Sequence, residues 1–315
     1  MKARLDSAQV ARTGDLLRGM KDLSSFNYAG GNFPEEGEAG ILDYFFAVVL
    51  QQYGFWYDDG KGYAGPMYAE AGGILLKGSD FLFKVFLEAV RRNPDFSSAR
   101  FLARITRERF EQELAADSGQ CPLPQLASHL ELARDYGREL LGVEGGPAGM
   151  VERANCSRRP LQVFLEEVTR LPGYREDPLR KKALLLALIL SRRPEGFLVV
   201  RDPENWAPVI DYHNLRVSLR LGLIEVVDRE LLRRLEARKF VDVEEEEEIR
   251  RLTFAAVDEL IRSSGRTVAQ VDALLFGARR SCPETAAPDC PNCIFSPICP
   301  RRISLFQPVC RTTFY

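Results

Sequence analysis

Four cysteines crowd one short segment near the end of the chain, "SCPETAAPDCPNCIFSPICPRR": Cys282, Cys290, Cys293 and Cys299. Their spacing is C-x7-C-x2-C-x5-C. A stretch with four thiols and this many prolines cannot continue as helix or strand, so it has to close on itself. Pro283, Pro291, Pro297 and Pro300 stiffen that loop and remove backbone donors at fixed places. Four thiolates on one loop suit tetrahedral zinc or a [4Fe–4S] cluster. Zinc sites more often use two C-x2-C knuckles separated by a longer insert. Here a single C-x2-C pair stands between two unequal gaps, so the cluster is the expected occupant and zinc the lesser one. Cys310 is a possible substitute ligand, and Cys121 and Cys156 read as ordinary buried or loop thiols.

Metal rather than disulfide is the expectation because the chain reads as a protein of a reducing compartment. No apolar run approaches the roughly 20 residues that cross a bilayer. The opening "MKARLDSAQVARTGDLL" carries no apolar signal core, so the cytoplasm is the expected location, with no membrane partner. Lys plus Arg number 43 and Asp plus Glu 45, a net charge of −2. Proteins that grip a nucleic-acid backbone usually show a basic excess, because phosphate neutralisation supplies much of their affinity. The balance here weighs against a long polyanionic substrate. Nothing in the sequence sets the oligomeric state.

The rest of the chain is predicted to be mainly helical. "GSDFLFKVFLEAVRR", "PLPQLASHLELARDYGRELL", "RRPLQVFLEEVTRL" and "RKKALLLALILSRR" carry apolar residues at helical spacing, separated by Gly, Pro, Asn or Asp. "GFLVV" is the best strand candidate. The run Glu244 to Glu248 reads as the solvated acidic start of a helix. "NYAGGNFPEEGEAG" and "GVEGGPAGMVERANCSRRP" read as loops, the latter over a site. Two regions are expected: 1–280 as a helical body of two interlocked lobes, with the active-site cleft between them, and 281–315 as the cysteine loop and tail.

The cysteine loop is similar to the C-terminal iron–sulfur loop of the helix-hairpin-helix DNA glycosylases, the endonuclease III and adenine glycosylase group. That group has the same x2 and x5 intervals after a first gap one residue shorter. Upstream, "RLPGYREDPLRKKALLLALIL" and "WAPVIDYHNLRVSLRLGL" resemble its L-P-G-x-G hairpin and its V-D-x-H-x-x-R-V catalytic loop. Leu171, Pro172 and Gly173 match the hairpin; Ile210, Asp211, His213, Arg216 and Val217 match the loop. The resemblance implies a DNA-glycosylase-like two-lobed fold, with a helix-hairpin-helix-like element and Asp211 as the catalytic carboxylate. Such a carboxylate stabilises positive charge on the ribose and orients the attacking water. Read by itself, Asp211 is equally an N-cap for the helix that follows. His213 is a ligand or base, or a residue packed within that helix. The hairpin departs from the family: Tyr174 and Arg175 follow Gly173, and no second glycine lets a DNA phosphate approach the backbone.

Over roughly residues 40–280 the chain also resembles the queuosine-salvage proteins, which share the glycosylase-like fold but act on a small nucleotide. "LQQYGFW", "KGSDFLFKVFLEAV", "FLARITRERFEQEL" with the helix after it, "LPGYREDPLRKKALLLA", "VIDYHNLRV" and "EEEEIRRLTFAAVDELI … QVDALLFGARR" follow that family's order. The cysteine loop is not part of its usual pattern. This resemblance implies hydrolysis of queuosine 5′-monophosphate to release a 7-deazaguanine base. A pocket for that substrate needs aromatic faces, polar edge groups and a cation for the phosphate. Phe55, Trp56 and Tyr57 are the stacking candidates, with core packing as the plain alternative for the first two. Asp80 is a candidate reader of the base edge, or a helix cap. Lys181 and Lys182 stand where bifunctional DNA glycosylases carry a Schiff-base lysine, and read here as phosphate or surface cations. The alternatives kept open are a base-excision DNA glycosylase and a nucleic-acid-binding module without catalysis.

Overall fold

The computed structural model describes residues 1–21 and 23–315. Among these residues the chain is mainly helical. In order it runs β1 (Ala3–Leu5), α1 (Ser7–Gly19), α2 (Ile41–Leu50), β2 (Trp56–Asp58), β3 (Tyr63–Pro66), β4 (Tyr68–Ala71), β5 (Ile74–Lys77), α3 (Gly78–Arg92), α4 (Ala99–Leu102), α5 (Arg107–Glu113), α6 (Leu126–Leu140), α7 (Gly146–Cys156), α8 (Pro160–Val168), α9 (Lys181–Arg192), α10 (Tyr212–Leu221), β6 (Ile224–Val226), α11 (Arg229–Glu236), α12 (Val243–Ser264) and α13 (Val268–Gly277). No described helix is long and apolar enough to cross a membrane. The chain divides into two compact units. The first holds Met1–Phe26, Asp58–Gly65 and Ala207–Arg311; the second holds Asn27–Tyr57, Pro66–Trp206 and Thr312–Tyr315. The cysteine segment thus belongs to the first unit.

In the first unit β1 pairs antiparallel with β6, setting Ala3 against Val226 and Leu5 against Ile224. Asp6 then starts α1 by accepting the Gln9 amide at 2.9 Å. Helix α1 lies against α12. Gly14 permits that approach, since a Cβ there would stand 2.5 Å from the Ser263 hydroxyl. The acidic start of α12 is not the solvated face the sequence suggests. Glu245 and Glu246 are 3% and 2% exposed. Glu245 pairs with Lys2 at 2.7 Å and with Arg234, and Glu248 accepts the amides of Lys2 and Ala3. The glutamates tie the first strand to α12, and that cross-chain pairing is what repays their desolvation. Helix α10 packs against α12 and α13, is buried along almost its whole length, and ends at Gly222 in the left-handed conformation.

In the second unit α2 is apolar on every face and buried, as a central helix must be. Helices α3 and α9 pack on it. The turn "LPGYRED" between α8 and α9 lies under its end. Gly173 has φ +86°, and a Cβ there would fall 1.9 Å from Leu50 Cδ1, so glycine is required twice over. Tyr174 is buried and donates its hydroxyl to the Phe46 carbonyl at 2.6 Å. The glycine-rich segment before α2 is a loop, held by Arg193, which donates to the carbonyls of Tyr28, Pro34 and Glu35. Two expectations change. "GFLVV" forms no strand; Leu198 and Val199 donate instead to the Leu190 carbonyl and the Asn155 side chain. The segment expected as a loop around residue 150 is largely α7, with Pro147 in its first turn, where a missing N–H costs nothing.

Candidate functional site

Asp211 is the N-cap of α10. Its Oδ1 accepts the amides of His213 at 2.8 Å and Asn214 at 3.1 Å, and Asn214 returns a hydrogen bond to the Asp211 amide at 2.9 Å. This capping box fixes the carboxylate's orientation and leaves Oδ2 with no partner among the described residues. Asp211 is half-buried at the open end of a helix whose body is buried. Arg250, on α12, reaches the Ile210 carbonyl just before it. Capping and chemistry are compatible here, because each uses a different oxygen.

His213 is buried, with its ring against Tyr212 at 4.1 Å and edge-on to Phe276 at 5.6 Å. Its Nδ1 lies 3.0 Å from Nη2 of Arg216. Arginine only donates, so Nδ1 accepts and the ring is neutral with its proton on Nε2. A polar chain continues from there through the interior of the first unit. Arg216 donates to Gln307 at 3.0 Å, Gln307 to Glu284 at 2.9 Å, and Tyr63 to Glu284 at 3.0 Å. Arg216 is fully buried, and its Nε has no partner among the described residues. Burial, and then the neighbouring Arg220, lower its pKa to about 10, so it stays charged at neutral pH.

Next to this helix start is a cavity of about 280 Å³, lined by Ser24, Ser25, Phe26, Phe276, Arg279 and Arg280 among others. Phe276 belongs both to this groove and to the His213 contact. The Arg279 guanidinium lies 3.9 Å above the Phe276 ring, and Phe26 meets the same ring edge-on at 6.0 Å.

The four cysteines Cys282, Cys290, Cys293 and Cys299 line one recess of about 30 Å³, together with Arg220 and no carboxylate. Among the described residues no three or more of His, Cys, Asp and Glu are drawn together closely enough to hold a single ion. Arg220 donates to Cys282 Sγ at 3.2 Å and to the Pro283 carbonyl at 2.9 Å; the Arg301 amide donates to Cys299 Sγ at 3.3 Å. Arg216 and Arg220 are buried, and among the described residues neither touches a carboxylate. Buried cations need a counter-charge. A tetrathiolate centre of zinc or [4Fe–4S] carries about −2 overall, so this donor set fits such a group in chemistry and in charge. Cys310 does not line the recess, and Cys156 is exposed.

The other sequence candidates fall in the second unit. Phe55 and Trp56 are 4% and 9% exposed, and Phe55 packs closely over Gly78. Tyr57 is 41% exposed, with its hydroxyl on the Pro122 carbonyl at 2.6 Å. Asp80 sits in the first turn of α3, whose N-cap is Lys77 rather than Asp80. Lys181 and Lys182 are not surface cations. They are 6% and 1% exposed and donate to the carbonyls of Gln52 at 3.1 Å and Leu50 at 2.8 Å, where α2 ends. Burial, with Lys181 adjacent, lowers the Lys182 pKa to about 7, and its ammonium lies 4.6 Å over the Tyr53 ring. His129 stacks on the same ring at 4.1 Å, its pKa lowered to about 3 by burial. The structure therefore groups Asp211 and His213 with the cysteines in one unit, and Phe55, Trp56, Tyr57, Asp80, Lys181 and Lys182 in the other. The groove at Phe276 went unread, because "FGARR" looks like the usual basic end of a helix. No family model matches the chain, and no curated protein matches it.

Proposed function

We propose that the protein is an N-glycosidase that hydrolyses a nucleoside 5′-monophosphate carrying a modified purine-like base of the queuosine type. The observation that carries this is Asp211, which caps α10 with one oxygen and keeps the other without a partner among the described residues, on the helix whose His213 ring meets Phe276 of a groove with aromatic and cationic walls. In the reaction the C1′–N bond breaks and its electron pair leaves with the base. Water forms the new bond to C1′ and gives up a proton, which ends on the departing base. Asp211 Oδ2 stabilises the positive charge that builds on the ribose and orients that water, a contribution of about 10²–10³ in rate. His213, neutral and fixed by Arg216, supports α10 from within.

A small nucleotide is favoured over duplex DNA by the "LPGYRED" turn. Its amides are already used: Gly173 donates to the Glu176 carboxylate at 2.7 Å, and Tyr174 and Arg175 donate to the Leu171 carbonyl. A DNA phosphate would have to displace a carboxylate of its own sign. Cys282, Cys290, Cys293 and Cys299 are the residues that hold the metal centre in this reading, preferably [4Fe–4S]. Bound there, the centre staples the chain's last segment against α10 and supplies negative charge to Arg216 and Arg220.

Incubation with queuosine 5′-monophosphate should release the free base, while a duplex carrying a damaged base stays intact. Cleavage of the duplex with an inert nucleotide makes the protein a DNA glycosylase. Salt-sensitive DNA binding with no turnover of either makes it a binding module.

A further inference from the structure

We propose that Cys290 is the releasable ligand of the metal centre, so that an oxidant frees one iron and one thiol while Cys282, Cys293 and Cys299 keep the remainder; this rests on the iron–sulfur reading of the recess above. All four cysteines line the same recess, but the chain does not hold them alike. Cys282 stands just past α13, its amide on the Ala278 carbonyl at 2.8 Å, and its sulfur accepts from the buried Arg220 guanidinium at 3.2 Å. Cys299 donates its amide to the carbonyl of buried Phe295 at 2.9 Å, and its sulfur accepts the Arg301 amide at 3.3 Å. Arg301 takes the left-handed conformation, φ +55°, to deliver that amide, a cost an arginine pays only where the surroundings impose it. The Cys293 amide donates to the Cys290 carbonyl at 3.3 Å, and the Phe295 amide is directed at the Cys293 sulfur.

Cys290 has no such support. Among the described residues neither its amide nor its sulfur has a hydrogen bond. For Cys293 and Cys299 the donor is the amide two residues further on. Two residues after Cys290 stands exposed Asn292, whose side chain turns to the Asp289 carboxylate at 3.1 and 2.9 Å. Pro291, between them, has no amide to give. Hydrogen bonds around a ligand orient it on the metal, and losing one weakens metal affinity about 10–100-fold. Cys290 is therefore the first of the four to let go. In that step the oxidant takes one electron from the [4Fe–4S] centre, one ferrous ion leaves, and a [3Fe–4S] centre stays on the other three cysteines. The released Cys290 thiolate takes a proton from water. A plainer explanation is a shallow centre that falls apart as a whole. That explanation frees all four cysteines together, and this is where the two part.

Wild type is purified without oxygen, its iron and sulfide are measured, and it is oxidised stepwise with ferricyanide. Electron paramagnetic resonance follows the centre, and alkylation by iodoacetamide, mapped by mass spectrometry, follows each thiol. A [3Fe–4S] signal should appear, with Cys290 alkylated at least about tenfold faster than Cys282, Cys293 or Cys299. Cys290→Ala, folded like wild type by circular dichroism, should keep the visible absorption of its centre, while Cys282→Ala and Cys299→Ala lose it. Equal alkylation of the four cysteines in wild type, or a folded Cys290→Ala as empty as Cys299→Ala, overturns the assignment while leaving the iron–sulfur reading in place. Wild type that takes up zinc alone, or no metal, removes the iron–sulfur reading and the releasable ligand with it.

Discussion

Asp177 and Asp211 each hold backbone amides at the start of a helix, and they are not equivalent. Asp177 precedes α9 in the second unit and is 3% exposed. Its Oδ1 accepts the Leu179 amide at 3.0 Å and its Oδ2 the Lys181 amide at 2.8 Å. Asp211 precedes α10 in the first unit, half-buried, and takes both of its amides on Oδ1 alone. The cations behind them differ as well. Lys181 and Lys182 turn onto the carbonyls that end α2, and Lys182 can shed its proton. Arg216 and Arg220 cannot, so their charge has to be answered from outside the helix. A helix cap by itself says nothing about function.

The largest effect expected on this contrast is in pH. The folded pKa of Lys182 is lowered from 10.5 to about 7, so between those values the unfolded chain binds more protons than the folded one. Stability should therefore rise with pH through that window, by at most about 1.4 kcal/mol per unit from this one group. Lys182→Met should flatten the slope in urea unfolding measured at pH 7 to 10. A slope that survives the substitution places the titration elsewhere. Next in size is the cysteine recess. If the proposed metal centre sits there, treatment with chelator and oxidant should leave Arg216 and Arg220 uncompensated and cost about 3 kcal/mol in urea unfolding. An unfolding curve that does not move shows that the arginines need no partner there. Smaller again is Asp177→Ala, which strands the buried Lys181 amide and the part-buried Leu179 amide. It should cost about 2 kcal/mol while leaving turnover per folded molecule unchanged. A fall in kcat would make the second aspartate part of the chemistry and dissolve the contrast.

Much of the helical order could be read from periodicity, because buried stripes at helical spacing leave few alternatives. The gathering of the four cysteines could be read from spacing alone. Asp211 at a helix start was visible too, but its spare oxygen was not, because that depends on Oδ1 taking both amides. Burial of Phe55 and Trp56 and the inward turn of Lys181 and Lys182 depend on what another segment brings over them. In "KKALLLALIL" the pattern marks a helix without showing that α2 ends above its first turn. Glu245 escaped for the same reason, since its partner Lys2 comes from the far end of the chain. A chain pattern records which face is apolar; it does not record which distant charge answers a buried one.

Asp211→Asn tests the account most directly, because asparagine caps a helix as well as aspartate does but carries no charge. Base release from queuosine 5′-monophosphate and urea unfolding should be measured on the same preparation. The account predicts release slowed by about 10²-fold or more, with stability within about 0.5 kcal/mol of wild type. Release at the wild-type rate, from a variant that folds as well as wild type, would contradict it and leave Asp211 as a helix cap.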